Sequence, residues 1–327
     1  MNIQKIKYTL HSGKNNKLLY YIHGYAKDLT PPILLKLQRR LLLKGVEKRS
    51  DYEYIKKRVD YYCPLSEGCS DTDMEKWKQK SVEVGNQPMT SQKVYYLDSM
   101  EYARAFPLSN RWHLLSGDIT YVDDVPSIVK SRPIAGDNAN SVIMKLDKVR
   151  HFIFRRDSTP FRRKVDKAIF RGKVDGKQAR LSFVEKFFGN PHFDIGVIDN
   201  VLPQCKSEKM SIYDHFKYKY IMALEGNDVA SNLKWVMASN SIAVMPRPKY
   251  ETWFMEGTLI PNYHYIEVKP DFNDLEEKMD YYTSHPDKAE EIISHANEFV
   301  RQFQNKKREK IISLLVLEKY FKCVAGI

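Results

Sequence analysis

The chain has 327 residues, 43% of them hydrophobic, and its 53 Lys and Arg against 41 Asp and Glu give a formal charge of +12. This length suits two domains of ordinary size, and the positive charge favours anionic partners such as nucleotides, nucleic acids or anionic lipids. No apolar run approaches the roughly 20 residues that span a bilayer, and the N-terminal charges precede no signal-peptide core. We therefore expect a cytoplasmic protein whose four scattered cysteines are free thiols.

The first 60 residues are basic and contain two predicted helices. Leucines recur among lysines and arginines after Pro31-Pro32, and a second basic helix is predicted over Tyr52–Tyr62. Two interpretations stay open. The leucines of a surface helix can face the protein core, or the helices can lie against an anionic membrane face or a phosphorylated lipid.

Residues 63–92 have the composition of a loop and include Asp71-Thr72-Asp73. Two aspartates at this spacing can hold a metal ion and a nucleotide diphosphate, but such short matches are common by chance. The simpler interpretation is that Ser70 or Asp71 caps a helix beginning near Met74. Because no Cys or His spacing typical of metal sites occurs elsewhere, we expect no bound metal.

A candidate site carboxylate lies further along the first half of the chain. Asp118 follows Gly117 after the apolar run RWHLLSG, and a strand is predicted over Ser127–Ser131. A carboxylate at a strand end can project into a cleft, but it can equally be a turn residue without a catalytic role. Lys130 and Arg132, at the end of the SIVKSR segment, are candidate acceptor-side residues.

The segment Phe152–Lys164, FIFRRDSTPFRRK, is both basic and aromatic. This composition is found on nucleic-acid-binding surfaces, although we interpret the segment as a hinge between domains. Asp157 within it is predicted either to contact an acceptor hydroxyl or to pair with its arginine neighbours.

Two stretches of the second half predict a phosphate site. In Ala168–Arg180 an apolar strand leads into Arg171-Gly172, Lys173 and Arg180, and guanidinium groups can bind a diphosphate with two hydrogen bonds each. In Lys217–Asn240 a strand over 219–224, a Gly226 turn and a helix from Val229 predict backbone N–H groups aimed at phosphate. A solvent-exposed basic loop and an ordinary strand–turn–helix unit without ligand are the respective alternatives.

The candidate residues of the strand–turn–helix stretch serve different parts of a nucleotide. Glu225 at the strand end can accept hydrogen bonds from ribose hydroxyls. The remaining candidates for phosphate are Asn227, Asp228, Val229, Ala230, Ser231, Asn232 and Lys234. Further strands are predicted over Ser241–Met245 and from His264 onward, followed by a helix from near Asn273, a break at His285-Pro286 and another helix.

The order of these segments resembles the family 90 glycosyltransferases, which include protein O-glucosyltransferases and bacterial lipopolysaccharide core transferases. The resemblance covers roughly residues 110–303, and the bacterial branch is the more similar. It is carried by the segments AIFRGKVDGKQAR, KYKY, EGNDVASNLKW, YETWF, PNYHYIEV and DLEEK. The resemblance implies an α/β protein of GT-B type, with two Rossmann-like domains facing across a cleft. The acceptor-side domain would span 1–160, with 308–327 packing back on it, and the nucleotide-sugar domain would span 161–307.

The resemblance also implies a reaction. A UDP-hexose, with glucose or galactose as the sugar, would glycosylate a sugar hydroxyl of the lipid A–core oligosaccharide with inversion, and Asp118 would be the base, with Asp123 and Asp124 as rivals. The enzyme would need no metal and no cofactor beyond the co-substrate, bind no nucleic acid, and work peripherally on the inner face of the inner membrane.

Three positions depart from the family pattern. Arg180 falls one residue later than expected, Lys173 replaces a small hydroxyl residue, and Leu233 stands where eukaryotic members have Arg, which leaves Lys234 as the nearest cation.

The alternative from another functional class is a basic nucleic-acid-binding protein without catalysis.

Overall fold

A computed structural model describes residues 11–66 and 74–324 of the chain. These residues form two compact units. Unit 1 comprises Arg150–Pro248, Glu256–Gln302 and a short N-terminal segment that ends at Asn15. Unit 2 comprises Asn16–Val149, Lys249–Met255 and the C-terminal segment that begins at Phe303.

Within the described ranges, the secondary structure consists of short strands and helices, with four helices before the first strand and three after the last. The helices are α1 (Lys17–Asp28), α2 (Pro32–Leu43), α3 (Tyr52–Tyr62), α4 (Met74–Lys80), α5 (Lys93–Ala103), α6 (Lys148–His151), α7 (Gln178–Phe187), α8 (Ile212–His215), α9 (Leu233–Val236), α10 (Leu275–Ser284), α11 (Pro286–Arg301) and α12 (Lys306–Val324). The strands are β1 (Val82–Glu83), β2 (Arg111–Trp112), β3 (Ser127–Val129), β4 (Ser131–Pro133), β5 (Ser141–Ile143), β6 (Val165–Gly172), β7 (Phe193–Val197), β8 (Tyr218–Met222), β9 (Ile242–Met245), β10 (Tyr250–Thr252) and β11 (Ile266–Glu267). No helix in these ranges is long and apolar enough to cross a membrane.

Unit 1 is built on a five-stranded sheet with the order β11-β9-β8-β6-β7. Every pair of neighbouring strands is parallel, which confirms the predicted α/β class. The chain passes from β6 to β7 on one side and then returns to place β8 on the other side of β6. The connection after β6 leads to β7 and the connection after β8 leads to β9, in opposite directions along the sheet. The carboxyl ends of β6 and β8 therefore flank a crevice of the kind in which open α/β sheets bind ligands.

Aromatic packing fixes α7 against the sheet of unit 1. The Phe183 ring lies 5.6 Å from the ring of Phe170 on β6 and 6.1 Å from that of Phe193 on β7, measured between centroids. Phe272, ahead of α10, contacts the same ring at 5.3 Å. Such edge-to-face pairs add to the stabilisation from apolar burial. They hold α7 on the sheet and so position the end of the loop between β6 and α7.

Unit 2 combines helices with three two-stranded sheets. β1 and β2 pair antiparallel, as do β4 and β10, whereas β3 and β5 are parallel. The long helix α12 packs on α3 and α5, and its Glu309 accepts a hydrogen bond from the Trp253 indole at 2.6 Å and pairs with buried Arg58. These contacts place the predicted basic helix 52–62 inside the unit, since its Ile55, Arg58 and Tyr62 are all buried.

Three sequence predictions are corrected by the structure. The helix predicted from Val229 is a single turn, α9, that begins at Leu233. The strand predicted from His264 onward is limited to the two residues of β11, and it follows a turn in which Asn262, with a positive φ of 56°, donates to the Tyr265 carbonyl at 2.7 Å. The strand predicted over Ser127–Ser131 is divided at Lys130 into β3 and β4. By contrast, helices α2, α3, α10 and α11 lie where the patterns predicted them.

Candidate functional site

A cavity of about 390 Å³ opens in unit 1 at the carboxyl ends of β6 and β8. Phe170, Arg171 and Gly172 line it from β6, and Ile221 and Met222 line it from β8. The cavity therefore lies at the crevice that the strand order defines.

The cavity lining is strongly cationic. Among the described residues that line it, seven are Lys or Arg and none is Asp or Glu: Lys14, Arg150, Arg171, Lys173, Lys177, Arg180 and Lys209. The rest of the lining is largely apolar and includes Trp235 and Ile198. A concave wall with one sign of charge concentrates ligands of the opposite sign, so the lining favours an anion attached to a less polar group.

Arg180 ties together the two loops that border the cavity. Its Nη2 donates to the Leu224 carbonyl at 2.8 Å, its Nε donates to the Glu225 carbonyl at 2.9 Å, and its Nη1 donates to the Lys173 carbonyl at 3.2 Å. Burial lowers the pKa of this guanidinium from its ordinary value, but an arginine remains charged in proteins. A guanidinium has five N–H donors, so Arg180 can fix the loops and still donate to a ligand.

Gly226 makes this position of Arg180 possible. A Cβ atom at residue 226 would lie 3.1 Å from Arg180 Nη2, which is a tight contact for the guanidinium. The glycine thus serves the close approach of a side chain, whereas the sequence suggested only a turn.

Arg171 is held by the neighbouring strand. Its Nη2 pairs with Asp194 Oδ1 at 2.6 Å, and its Nη1 donates to the Asp194 carbonyl at 2.9 Å. Part of its positive charge is therefore already balanced by a carboxylate, which makes it a weaker candidate for an anionic ligand than Arg180.

The loop after β8 divides the predicted phosphate residues into two groups. Ser231 and Asn232 line the cavity, and Asn232 is fixed by a 2.9 Å hydrogen bond from its Nδ2 to the Met222 carbonyl. The other predicted residues of this stretch are not part of the cavity lining: Glu225, Asn227, Asp228, Val229, Ala230 and Lys234. This bond and those from Arg180 to the Leu224 and Glu225 carbonyls hold the loop after β8.

Lys234 is buried in an ion pair. Its side chain is 0% exposed and its ammonium is paired with Glu256, which is 1% exposed. Lys234 also does not line the cavity, so the predicted direct contact between Lys234 and phosphate is not supported.

Several lining residues were missed by sequence reasoning. Lys14, Arg150 and Lys209 come from segments far apart in the chain, and no local pattern connects them. His215 is a further one: burial lowers its pKa, its Nδ1 lies 2.7 Å from the Ser211 carbonyl, and its ring meets the Trp235 ring edge-on at 5.3 Å. The neutral imidazole and the indole together form an aromatic wall.

The predicted base, Asp118, lies in unit 2. Gly117 before it has a φ of +122°, a backbone conformation that favours glycine. The Asp118 carboxylate pairs with the ammonium of Lys130 and accepts a 3.3 Å hydrogen bond from the Tyr95 hydroxyl. Its side chain is 17% exposed, so it is oriented by neighbours and still reaches solvent.

The three predicted acceptor-side residues are buried. Lys130 is 1% exposed beside Asp118, and Arg132 is 5% exposed and pairs with Glu251 at 2.8 Å. In unit 1, Asp157 is 3% exposed, accepts a hydrogen bond from the Asn240 backbone N–H at 2.9 Å and pairs with Lys164 at 2.6 Å. These environments do not support direct acceptor contacts; Asp157 pairs with a lysine and not with its arginine neighbours.

Over 11–66 and 74–324, no three His, Cys, Asp or Glu side chains form a group that could hold a metal ion. The candidate pair Asp71 and Asp73 lies outside the described residues, as do the predicted capping residues at the start of α4. The expectation of metal independence therefore stays a prediction.

A parallel α/β sheet with a cationic cavity at its strand crossover is typical of proteins that bind phosphate-bearing ligands. Comparison with known proteins makes this class specific. Residues 138–324, more than half of the chain, match the family model described as Glycosyl transferase family 90. The chain belongs to this family, which confirms the resemblance found in the sequence.

Individual relatives agree with the family match. The chain is 38% identical to the O-glucosyltransferase LpsA of Dichelobacter nodosus over 311 residues, which cover 94% of this chain and 95% of that protein. It is 28% identical to the human Protein O-glucosyltransferase 3 over 165 residues, or 48% of this chain and 32% of the human protein. The protein is therefore a glycosyltransferase similar to LpsA along nearly its whole length.

Proposed function

We propose that this protein is an inverting hexosyltransferase that moves glucose or galactose from a UDP-sugar to a sugar hydroxyl of the lipopolysaccharide inner core. The observation that carries the donor proposal is the cavity at the ends of β6 and β8, with seven cations and no carboxylate among its described lining residues. A nucleotide diphosphate supplies the matching negative charge. The similarity to an O-glucosyltransferase makes UDP-glucose the first donor to test.

The proposed reaction needs a stabilised leaving group. As the bond between the anomeric carbon and the diphosphate oxygen breaks, negative charge develops on UDP, and preorganised cations and N–H donors stabilise it. Lys173, Lys177, Arg180 and Ser231 line the cavity, and in this proposal the two ammonium groups, the remaining donors of Arg180 and the Ser231 hydroxyl serve this role.

The proposed reaction also needs a base. Asp118 would accept the proton of the acceptor hydroxyl while that oxygen bonds to the anomeric carbon and UDP departs, which inverts the configuration in one displacement. We propose a fold of GT-B type in which unit 1 binds the donor and Asp118 of unit 2 is the base. Lys130 and Tyr95 orient the Asp118 carboxylate.

The donor is tested by thermal unfolding with a panel of nucleotide sugars. A ligand that binds the native state stabilises it by about 2.7 kcal/mol at a concentration of 100 times its Kd. We expect UDP-glucose or UDP-galactose to raise the unfolding temperature, with ADP-glucose and GDP-mannose as matched controls. Equal shifts with all four compounds, or none, would contradict a UDP-sugar site.

Transfer is tested by UDP release with a lipid A–core oligosaccharide acceptor, with and without a chelator. We propose that the diphosphate is stabilised by side-chain cations alone, so turnover should survive excess chelator. Loss of turnover that manganese or magnesium restores would instead assign the pair Asp71 and Asp73 to a metal site.

The alternative of a nucleic-acid-binding protein gains no support from the basic aromatic segment 152–164. Arg162 pairs with Glu290 at 3.0 Å, Lys164 pairs with Asp157, and Arg155 donates to Asn15 at 3.1 Å. The carboxylates balance the charges of Arg162 and Lys164, so these two cations offer little charge to a polynucleotide backbone. A location at the cytoplasmic face of a membrane remains part of our proposal.

A further inference from the structure

Helix α1 exposes an apolar face. Leu18, Ile22, Tyr25 and Leu29 follow one another at intervals of three or four residues and therefore lie on one side of the helix. Their exposed fractions are 69%, 53%, 37% and 83%. The other side faces the protein, because Gly24 packs against Leu97 of α5.

Helix α2 repeats this arrangement. Ile33, Leu34, Leu37 and Leu41 recur at helical spacing with exposed fractions of 70%, 53%, 53% and 66%. Neither helix contains a buried residue. We call these eight side chains, seven on α1 and α2 and that of Leu29 directly after α1, the apolar surface. Exposed apolar side chains gathered on one side of a helix are typical of interaction sites.

The same two helices carry a large excess of positive charge. Between residues 17 and 44 there are six cationic side chains and one carboxylate, that of Asp28: the cations are Lys17, Lys27, Lys36, Arg39, Arg40 and Lys44. Arg40 and Lys44 are exposed and follow Leu37 at helical spacing, so they border the apolar side chains on α2.

We propose that the apolar surface of α1 and α2 binds an anionic lipid bilayer. The leucine side chains would enter the boundary between headgroups and acyl chains, and the cations at their border would contact the headgroups, as in amphipathic helices that lie in a membrane interface. This inference specifies the side chains and the mode of attachment. It does not depend on the proposed transfer reaction.

Charge favours a lipid surface over a second copy of this chain. A symmetric dimer would bring the same patch of two copies together, which would place like charges opposite one another. An anionic bilayer instead offers charge opposite to that of Arg40, Lys44 and their neighbours, together with an apolar interior for the leucines.

The experiment is sedimentation of the full chain with vesicles at low salt. We expect binding to vesicles of phosphatidylcholine mixed with phosphatidylglycerol, and weak binding to phosphatidylcholine alone. The double variant Leu37→Ser with Leu41→Ser should lower partitioning by about tenfold or more, because two apolar side chains no longer enter the bilayer. The double variant Arg40→Gln with Lys44→Gln should lower it by roughly tenfold and weaken its salt dependence.

Matched controls come from exposed residues of unit 1. Ile260 is 53% exposed, as is Leu37, and Arg301 is an exposed cation on α11. Ile260→Ser and Arg301→Gln should leave vesicle binding unchanged, and all variants should keep the wild-type unfolding temperature and UDP affinity.

Three results would overturn the proposal. The first is no binding of the wild-type chain to anionic vesicles at low salt. The second is equal binding of the leucine double variant, which would place the attachment elsewhere. The third is a wild-type dimer that this variant dissociates, without vesicle binding, since the apolar surface would then bind a second copy. Because vesicle binding is measured without a sugar donor, its failure is distinct from a failure of the transfer proposal.

Discussion

The buried pair of Lys234 and Glu256 gives a sharp test of how unit 1 holds its candidate site. Lys234 is 0% exposed and Glu256 is 1% exposed. Lys234→Met preserves side-chain length but leaves the Glu256 carboxylate buried without its ammonium partner. Removing one member of a buried pair costs about 3–5 kcal/mol, so we expect the variant to be destabilised by an amount in this range.

The double variant Lys234→Met with Glu256→Leu separates charge from packing. Replacing both members of a buried pair by apolar residues is often nearly neutral, so we expect the double variant to recover most of the lost stability. The assay is denaturant unfolding, with Lys307→Met as the control at an exposed lysine, where the change should stay within about 0.5 kcal/mol.

The affinity of the single variant for UDP distinguishes a structural ion pair from a direct contact between Lys234 and phosphate. Because Lys234 does not line the cavity, the folded single variant should bind UDP within a few fold of the wild type. Wild-type stability together with an affinity loss of about 1.5–3 kcal/mol, the range for a charged hydrogen bond, would refute this reasoning and make Lys234 a direct phosphate ligand.

Two further predictions concern the donor and the base. Arg180→Ala should weaken UDP binding by about 1.5–3 kcal/mol in calorimetric titration, whereas Glu185→Ala on the same helix serves as the control; unchanged affinity in Arg180→Ala would remove this residue from the site. Asp118→Asn cannot accept a proton and should lower turnover by roughly 10²–10⁴-fold with donor affinity near wild type, and Asp123→Asn and Asp124→Asn are its controls. Near-normal turnover in Asp118→Asn would reject the assignment, and a collapse in one of the controls would move the base along the loop.

The sequence by itself determined the α/β class and the family. Apolar runs ending in turn residues predicted β6, β8 and β9, and parallel strands buried on both faces carry such uninterrupted runs. The basic residues after Phe170-Arg171-Gly172 indicated a phosphate site because they follow a strand end directly. Local patterns of this kind are visible in a sequence, since neighbouring residues share one element.

The tertiary structure decided which charges are available to a ligand. Lys234 resembled a phosphate ligand because it follows Ser231 and Asn232, but Glu256, 22 residues further along, pairs with it inside the unit. Conversely, Lys14, Arg150 and Lys209 reach the cavity from distant segments. Long-range pairing follows from packing, and no local spacing encodes it.

For helices α1 and α2, too, local pattern and tertiary packing determine different properties. Periodicity in the sequence predicted that α2 is amphipathic, but it left open whether the leucine face packs on the core or remains exposed. Only the packing of α1 on α5 and of α2 beside α12 fixes which sides point outward, and it leaves Leu37 and Leu41 more than half exposed. The hydrophobic pattern specifies that an apolar face exists, whereas the tertiary contacts determine what covers it.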